Sequence, residues 1–416
     1  MIRERQTCRT CGSATLELVL DLGKTPLAND FIDPAEIRNY NTCLPLRLCV
    51  CQTCTLAQLA DTVDPRVLYA RYAYVTSTSR TMDEHLSEQC RHLTEVAGLK
   101  RGARVLEIAS NTGAYLRKFQ EQGCEVLGVE PAHNISEVAT KSGIPTRTEF
   151  FNAANGGRIA TDWGKADLIV GRHVFAHIDD LHDVLAGLES ASHSSSVVAF
   201  EVPYLVDFFN GTQFDTIYHE HLSYISVKSL QALTEQSRFF VQRVDHYAIH
   251  GGSILFHLRR RDSGSSEHPS VREALQVESR MRFGDAETWK PFVDRVQHVR
   301  GELPALVRGL RAQGKRVIGY GASAKGNTLL NTSGLTNKDL DYIIDNTPFK
   351  QNKVAPGSWL PIHPPEWLLR DRPDYALILA WNFAPEIIRR EAEYQRGGGR
   401  FLLPIPEPKI VNYPPP

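Results

Sequence analysis

Residues 104–123 read RVLEIASNTGAYLRKFQEQG, and the fold follows from how this stretch changes character. Arg104 to Ile108 is an apolar run of strand length, 109–113 are small or polar, and from Ala114 apolar positions recur at helical spacing up to Gly123. A strand that turns through small residues into a helix offers the free N–H groups of the helix's first turn to a ligand. Small side chains matter there because a larger Cβ substituent would occupy the space of the approaching group. A second strand, EVLGVE, ends at Glu130, seventeen residues after Gly113, where a carboxylate can accept from both hydroxyls of a ribose. The pattern predicts a nucleotide-type β-turn-α site with contacts at Glu107, Ala109, Asn111, Gly113, Glu130 and Pro131.

Working outward, ADLIVGRHVFAHIDDLHDVL (166–185) is a third apolar strand running into a polar loop with Arg172, His173 and His177. His173 reads equally as a hydrogen-bonded loop residue or as a pocket residue. The spacing E-x-A-x-N-x-G is more similar to the adenosylmethionine version of such a loop than to the G-x-G-x-x-G of dinucleotide enzymes, and no glycine pair is present to cradle a pyrophosphate.

A second unit of this kind lies near the other end. ELPALVRGLRAQGKR (302–316) predicts a helix from about Leu303, and KRVIGYGASAKGNTLLN then gives a strand, Gly319-x-Gly321 and a new helix. Asp345 follows Gly321 by 24 residues at the end of LDYIID. The free N–H groups and dipole of that helix start favour an anion, which suits a nucleotide-sugar diphosphate or NAD. Lys350 and Lys353 on the next polar turn read equally as surface charge or phosphate contacts, and PDYALILAWNFAPEII supplies a further buried strand ending at Trp381-Asn382.

The 416 residues exceed what one core serves, and two or three domains are expected. A net charge of -1 and 23% charged residues give no general attraction for nucleic acid or a membrane surface. With no apolar run of membrane-spanning length and no signal-like start, a cytoplasmic protein acting on a small molecule is expected. In a reducing compartment cysteines bind metal or sit as thiols. Six of the eight lie in the first 54 residues, four as the pairs Cys8/Cys11 and Cys51/Cys54. Two such turns complete the tetrahedral sulfur shell of structural zinc, which leaves no open position for chemistry. Cys49 is the alternative to Cys51; Cys43 and Cys49 otherwise read as packing, and a redox role is disfavoured because neither pair opens a helix after a strand.

The stretch VVAFEVPYLVDFFNGTQFDTIYHEHLSYIS (197–226) passes from a buried strand into Tyr218-His219-Glu220-His221 and Tyr224. No core requires that cluster. Forming a carbon nucleophile beside a ketone needs a base for an acidified C–H and a donor for the enolate oxygen, roles open to His, Glu and Tyr. Three consecutive side chains converge poorly on one ion, which argues against a catalytic zinc at His219, Glu220 and His221.

Taken in order, two C-x-x-C turns with TPLANDF between them, VLEIASNTG, FDTIYHEHLSY, HGGS and GYGASAKGN resemble the adenosylmethionine-dependent sugar C-methyltransferases that build branched deoxysugars on dTDP carriers, over nearly the whole chain. The resemblance implies an α/β protein: a zinc-binding domain over 1–75, a Rossmann-like methyltransferase domain over 76–235, a connecting segment over 236–300 and a C-terminal Rossmann-like domain over 301–416 holding the nucleotide-sugar. It implies methylation alpha to a 4-keto group, with His221 as base, Glu220 supporting it, Tyr218 and Tyr74 near the sugar, and His177 as a further pocket histidine. It places Gly321, Lys325 and Asn327 in the sugar-nucleotide site, with Lys350 and Lys353 beside it, and His173 at the cofactor. Donors such as Tyr218 or His177 would then steady the enolate. The chain departs from the family at Ala109 (usually Gly), Thr112 (usually Asp) and His173 (often Asn). A monomer or weak homo-oligomer is expected. The competing functions are an O- or N-methyltransferase, an NAD-dependent oxidoreductase using Gly319, Gly321 and Asp345, and a non-catalytic nucleotide-sugar binding protein.

Overall fold

The computed structural model describes residues 2–68 and 80–411, and Tyr74 lies outside them. Its largest sheet has seven strands in the spatial order Phe239–Tyr247, Ser253–Arg260, Ser192–Pro203, Ala166–Arg172, Arg104–Ile108, Glu125–Val129, Thr146–Arg147. All neighbours pair in parallel except Ser253–Arg260, which is antiparallel to both its partners. The crossover point of the strand order therefore falls at Arg104–Ile108, with the turn of residues 109–113 at its carboxyl end, where doubly wound sheets open a crevice. The helix Ala114–Glu121 packs Tyr115, Leu116 and Phe119 onto the sheet, one stripe of its surface.

The segment 236–300, expected to connect two domains, supplies the last two strands of this sheet. Phe239, Val241 and Val244 from one, and Ile254, Phe256 and Leu258 from the other, are buried, and this burial makes a hairpin of part of the expected connecting segment. The helix expected from about Leu303 begins at Lys290 and continues through Pro304 to Ala312, because Phe292, Val296 and Val299 extend its buried face toward the amino end.

The N-terminal sheet is antiparallel, in the order Ser223–Tyr224, Ala57–Leu59, Leu44–Cys51, Leu16–Thr25, and its edge strand Ser223–Tyr224 comes from the segment that follows the central sheet's strand Ser192–Pro203. The C-terminal sheet runs Ile362–His363, Ile343–Ile344, Val317–Tyr320, Tyr375–Ile378, Arg400–Leu403 in parallel, closed by antiparallel Lys409–Val411. One apolar cluster runs from Cys8 and Leu46 through Phe208 and Phe292 to Leu330 and Ile405, joining the three sheets. No helix among the described residues is long and apolar enough to cross a membrane.

Candidate active site

The Sγ atoms of Cys8, Cys11, Cys51 and Cys54 lie within 4.8 Å of one another, with Cys8 to Cys54 at 3.4 Å and Cys11 to Cys51 at 3.6 Å. A tetrahedral zinc with bonds of about 2.3 Å needs sulfur–sulfur separations of about 3.8 Å, so the set fits one ion. Cys51 belongs to the set, whereas Cys49 is buried apart from it and Cys43 is exposed.

At the central turn Ala109 and Asn111 have φ of 54° and 50° and Gly113 of 76°, so three alternate residues adopt left-handed backbone. A Cβ on Gly113 would come within 2.9 Å of Ile144, which reserves that position for glycine. Glu130 fixes the turn: Asn111 N donates to its Oε2 at 3.0 Å and Ala132 N, just past Pro131, to its Oε1 at 2.9 Å. Each carboxylate oxygen keeps a lone pair for a ribose hydroxyl. Burial raises the Glu107 carboxyl to about 8, against a lowering by the nearby Arg172 charge, and its Oε2 has no partner among the described residues. A buried acceptor left open at the end of the strand, beside a turn shaped for close approach, fits adenosylmethionine, which brings a cationic sulfonium and amino group together with a ribose.

Arg172 donates from Nε to Glu201 Oε2 at 3.0 Å, and His85 Nε2 lies 2.8 Å from the other oxygen. Burial alone would raise the Glu201 carboxyl, but His85 and Arg172 hold it well below the usual range. His173 has φ of 56°, and its ring meets that of His250 edge-on at 4.8 Å. Its buried Nε2 has no hydrogen bond among the described residues.

The FDTIYHEHLSY segment places His221 between two partners. Its Nδ1 lies 3.0 Å from the Thr216 carbonyl, which can only accept, so Nδ1 carries the proton and Nε2 is an acceptor. The Tyr218 hydroxyl sits 2.6 Å from that Nε2 and donates to it. His177 faces the ring edge-on at 4.9 Å. Burial, then the neighbouring His177, Lys325 and His173, push the His221 imidazole well below its ordinary value, while burial takes His173 to about 4 and His177 to about 3. The rings are neutral at pH 7.

The carboxylate expected behind His221 is elsewhere. Glu220 Oε1 accepts from Asn29 Nδ2 at 3.0 Å, its Oε2 has no partner among the described residues, and burial raises the carboxyl to about 7. The Thr216 carbonyl orients the imidazole in its place. Backbone direction at 217–221 decides this, since adjacent side chains diverge. His219 turns to the N-terminal sheet, its Nε2 3.2 Å from the Pro45 carbonyl.

From the C-terminal sheet, Lys325 brings its Nζ to 3.2 Å from the His250 carbonyl and 4.9 Å from the Trp381 ring centre. Trp381 Nε1 donates to Asp215 Oδ2 at 2.6 Å. Gly321 has φ of 89°, and Asp345 accepts from Ala322 N and Thr347 N at 2.7 and 2.8 Å, the counterpart of Glu130 in the central turn. Lys350 is not surface charge: its side chain is 12% exposed and Nζ donates to the Ala322 carbonyl at 2.8 Å. Asn327 is fully buried and donates from Nδ2 to the Ala28 carbonyl at 2.7 Å, so it ties the TPLANDF loop to this domain. Lys353 is half-buried, with its backbone bonded to Lys350 and Ile362. Sequence reasoning missed Asn29, Asp215, Thr216 and His250 as site residues. The unusual density of polar residues in FDTIYHEHLSY was a signal for Asp215 and Thr216, and nothing local marks Asn29.

Three family models match in chain order: the zinc binding domain over 8–69, the methyltransferase domain over 82–242 and the C-methyltransferase C-terminal domain over 248–406. The C-methyltransferase NovU of Streptomyces niveus is 40% identical over 412 residues, covering 99% of this chain and 98% of its own. Among solved structures, the PH0226 protein of Pyrococcus horikoshii OT3 is 12% identical with a TM-score of 0.36, over 46% of this chain and 98% of its own. An adenosylmethionine-dependent methyltransferase of Anabaena variabilis ATCC 29413 is 13% identical with a TM-score of 0.36, over 46% and 90%.

Proposed function

The chain belongs to the adenosylmethionine-dependent C-methyltransferases, and on that premise we propose that it methylates the carbon alpha to the 4-keto group of a dTDP-linked keto-deoxysugar through an enolate. Methyl transfer to carbon is the family's reaction, which argues against O- or N-methylation and against nicotinamide chemistry. Zinc on the four N-terminal cysteines is structural, since a closed thiolate shell leaves no site for water or substrate.

The observation that carries the proposal is the fixed tautomer of His221. A base for a carbon-bound proton must present an unprotonated nitrogen in a site closed to water, and His221 Nε2 is held as an acceptor by the bond from its other nitrogen to Thr216. For Nε2 to take the alpha proton, the Tyr218 hydroxyl swings off that nitrogen's single lone pair as the sugar binds, and its O–H then donates to the oxygen on which charge develops. His177, neutral beside the pair, is a second donor to that oxygen. The Glu107 to Gly113 turn and Glu130 would hold adenosylmethionine, whose sulfonium would supply an electrophilic methyl and leave as adenosylhomocysteine. The C–H electron pair ends in the new C–C bond, and the proton resides on His221 until solvent removes it. The C-terminal turn with Gly321 and Lys350 and the polar residues of the TPLANDF loop flank the remaining side, where the nucleotide carrier is proposed to lie.

The test is mass spectrometry with adenosylmethionine and a dTDP-4-keto-6-deoxysugar in D2O, on wild type and His221→Ala. A gain of one methyl with ring deuteration, both lost in the variant, supports the proposal; no methyl transfer across a panel of such keto-sugars sinks it.

A further inference from the structure

Lys325 is the cation of this site that no carboxylate neutralises by direct contact among the described residues. It stands in the first turn of the helix Ala324–Ser333, capped by Ser323, whose side chain accepts from Gly326 N. The helix start and the packing of Gly326 against Leu379 fix where the side chain leaves the backbone. Its ammonium lies over the Trp381 ring and, among the described residues, makes one hydrogen bond, to the His250 carbonyl, although it has three donors. Asp215, whose charge opposes the lowering that burial imposes on the ammonium, has one oxygen committed to the Trp381 indole N–H and the other buried with no partner among the described residues. Lys325 and Asp215 thus both meet the same indole.

A desolvated ammonium with unused donors is costly unless something completes its shell. The surroundings show what is missing. His173, His177, His221 and His250 all lie well below their ordinary values, first through burial, so the rings around Lys325 are neutral. Arg172 is spent on Glu201. Lys325 is near enough to His221, His173 and His250 for its charge to depress all three. Asp215 precedes Thr216, whose carbonyl fixes the base, so cation and base are built on one short loop and its partner.

We propose that Lys325 is a catalytic residue, the electrophile that receives the substrate's ketone oxygen and stabilises the enolate as His221 removes the alpha proton. The inference rests on the keto-sugar reading above. The C–H pair becomes the C=C bond of the enolate, the carbonyl pair moves to the oxygen held by Nζ–H donors, and the proton goes to His221 Nε2. Lys325 keeps its own protons; the C=C pair then forms the bond to the methyl, the oxygen's pair restores the C=O, and the pair of the broken S–CH3 bond leaves on sulfur as adenosylhomocysteine. Tyr218 and Lys325 approach the oxygen from different domains, so the oxyanion site is complete only when the C-terminal domain is docked.

The experiment measures, for wild type, Lys325→Met and Lys325→Arg, solvent deuterium entry at the alpha carbon of a dTDP-4-keto-6-deoxysugar without methyl donor. Single-turnover methyl transfer, the sugar KM and adenosylmethionine Kd are read on the same preparations. Lys325→Met is expected to lower exchange and transfer together by roughly 10²–10³-fold, as for loss of one oxyanion donor. The adenosylmethionine Kd should stay within about threefold, and Lys325→Arg should recover part of the rate. Should Lys325→Met not fold, Lys325→Ala with added methylammonium replaces it, and rescue in proportion to the cation is expected. Exchange in Lys325→Met within threefold of wild type, a loss confined to the sugar KM, or no methylammonium rescue overturns the assignment. A wild type that neither exchanges nor methylates such sugars overturns the keto-sugar reading instead, and this inference with it.

Discussion

Asn29 Nδ2 donates to Glu220 Oε1 across 3.0 Å, joining the loop between the two cysteine pairs to the residue next to the proposed base. Glu220 has no other side-chain partner among the described residues, and its carboxyl is raised to about 7 by burial, a rise this bond opposes. Asn29→Ala is expected to cost about 1–3 kcal/mol, the penalty for orphaning a buried acceptor. Calorimetric melting of the variant checks it; a midpoint unchanged within error would show Glu220 to be solvated.

Tyr218→Phe removes the hydroxyl 2.6 Å from His221 Nε2 and leaves the ring contact. Solvent deuterium exchange at the substrate's alpha carbon should fall by about 10²-fold, within the range for loss of one proton-handling group. Equal exchange rates would remove Tyr218 from the chemistry.

The pH dependence follows from four histidines held neutral. A base works in its unprotonated form, and the His221 value is lowered, first by burial and then by His177, Lys325 and His173, so the acid limb of kcat/KM should lie well below pH 6.5. Stability moves the same way. Unfolded histidines take protons near 6.5 that the folded protein refuses until about 4 at His173 and about 3 at His177. The thermal midpoint should therefore drop as pH falls through that window, and a flat midpoint between pH 6.5 and 4 would contradict neutral burial.

Zinc is expected at one ion per chain by emission spectrometry. Cys51→Ser should lose it and destabilise the N-terminal sheet, whose two cysteine turns the ion would tie together beyond what the packing of Leu46, Leu48 and Val50 supplies. Methyl transfer should disappear because Asn29 and the Pro45 carbonyl hold Glu220 and His219, while adenosylmethionine affinity, set in the central sheet, stays within a few-fold. Loss of both together would place the metal's influence at the cofactor turn.

Ala109 sits at φ of 54°, where a side chain costs about 1–2 kcal/mol. Ala109→Gly removes that strain but adds about 0.5–1 kcal/mol of unfolded-chain entropy, for a net gain of about 0.5 kcal/mol. Denaturant unfolding of the pair measures it, and destabilisation would mean that the methyl is packed.

What was legible in the sequence was local. The strand, the small-residue turn and the strand ending at Glu130, and the paired C-x-x-C turns, announce themselves because their residue types and spacings are local signals. The hairpin Phe239–Arg260 was hidden because its strands carry charges on their open positions. The orienting partner of His221 is a main-chain carbonyl, which no residue type encodes, and the Asn29–Glu220 bond spans 191 positions. Glu220 illustrates the limit: its place beside His221 in the sequence suggested a shared task, and the diverging side chains gave it a different neighbour.

The bond from Asn327 to the Ala28 carbonyl, 299 residues apart, imposes an order on synthesis. At roughly 5–20 residues per second a ribosome takes about 15–60 s to deliver the second partner after the first. Through that interval Leu27 and Phe31, both buried in the finished protein, have no C-terminal domain to cover them. A chain released early would carry its metal knuckle and its methyl-donor turn but no closed oxyanion pocket, so the nascent enzyme is inert and sticky until its last quarter emerges.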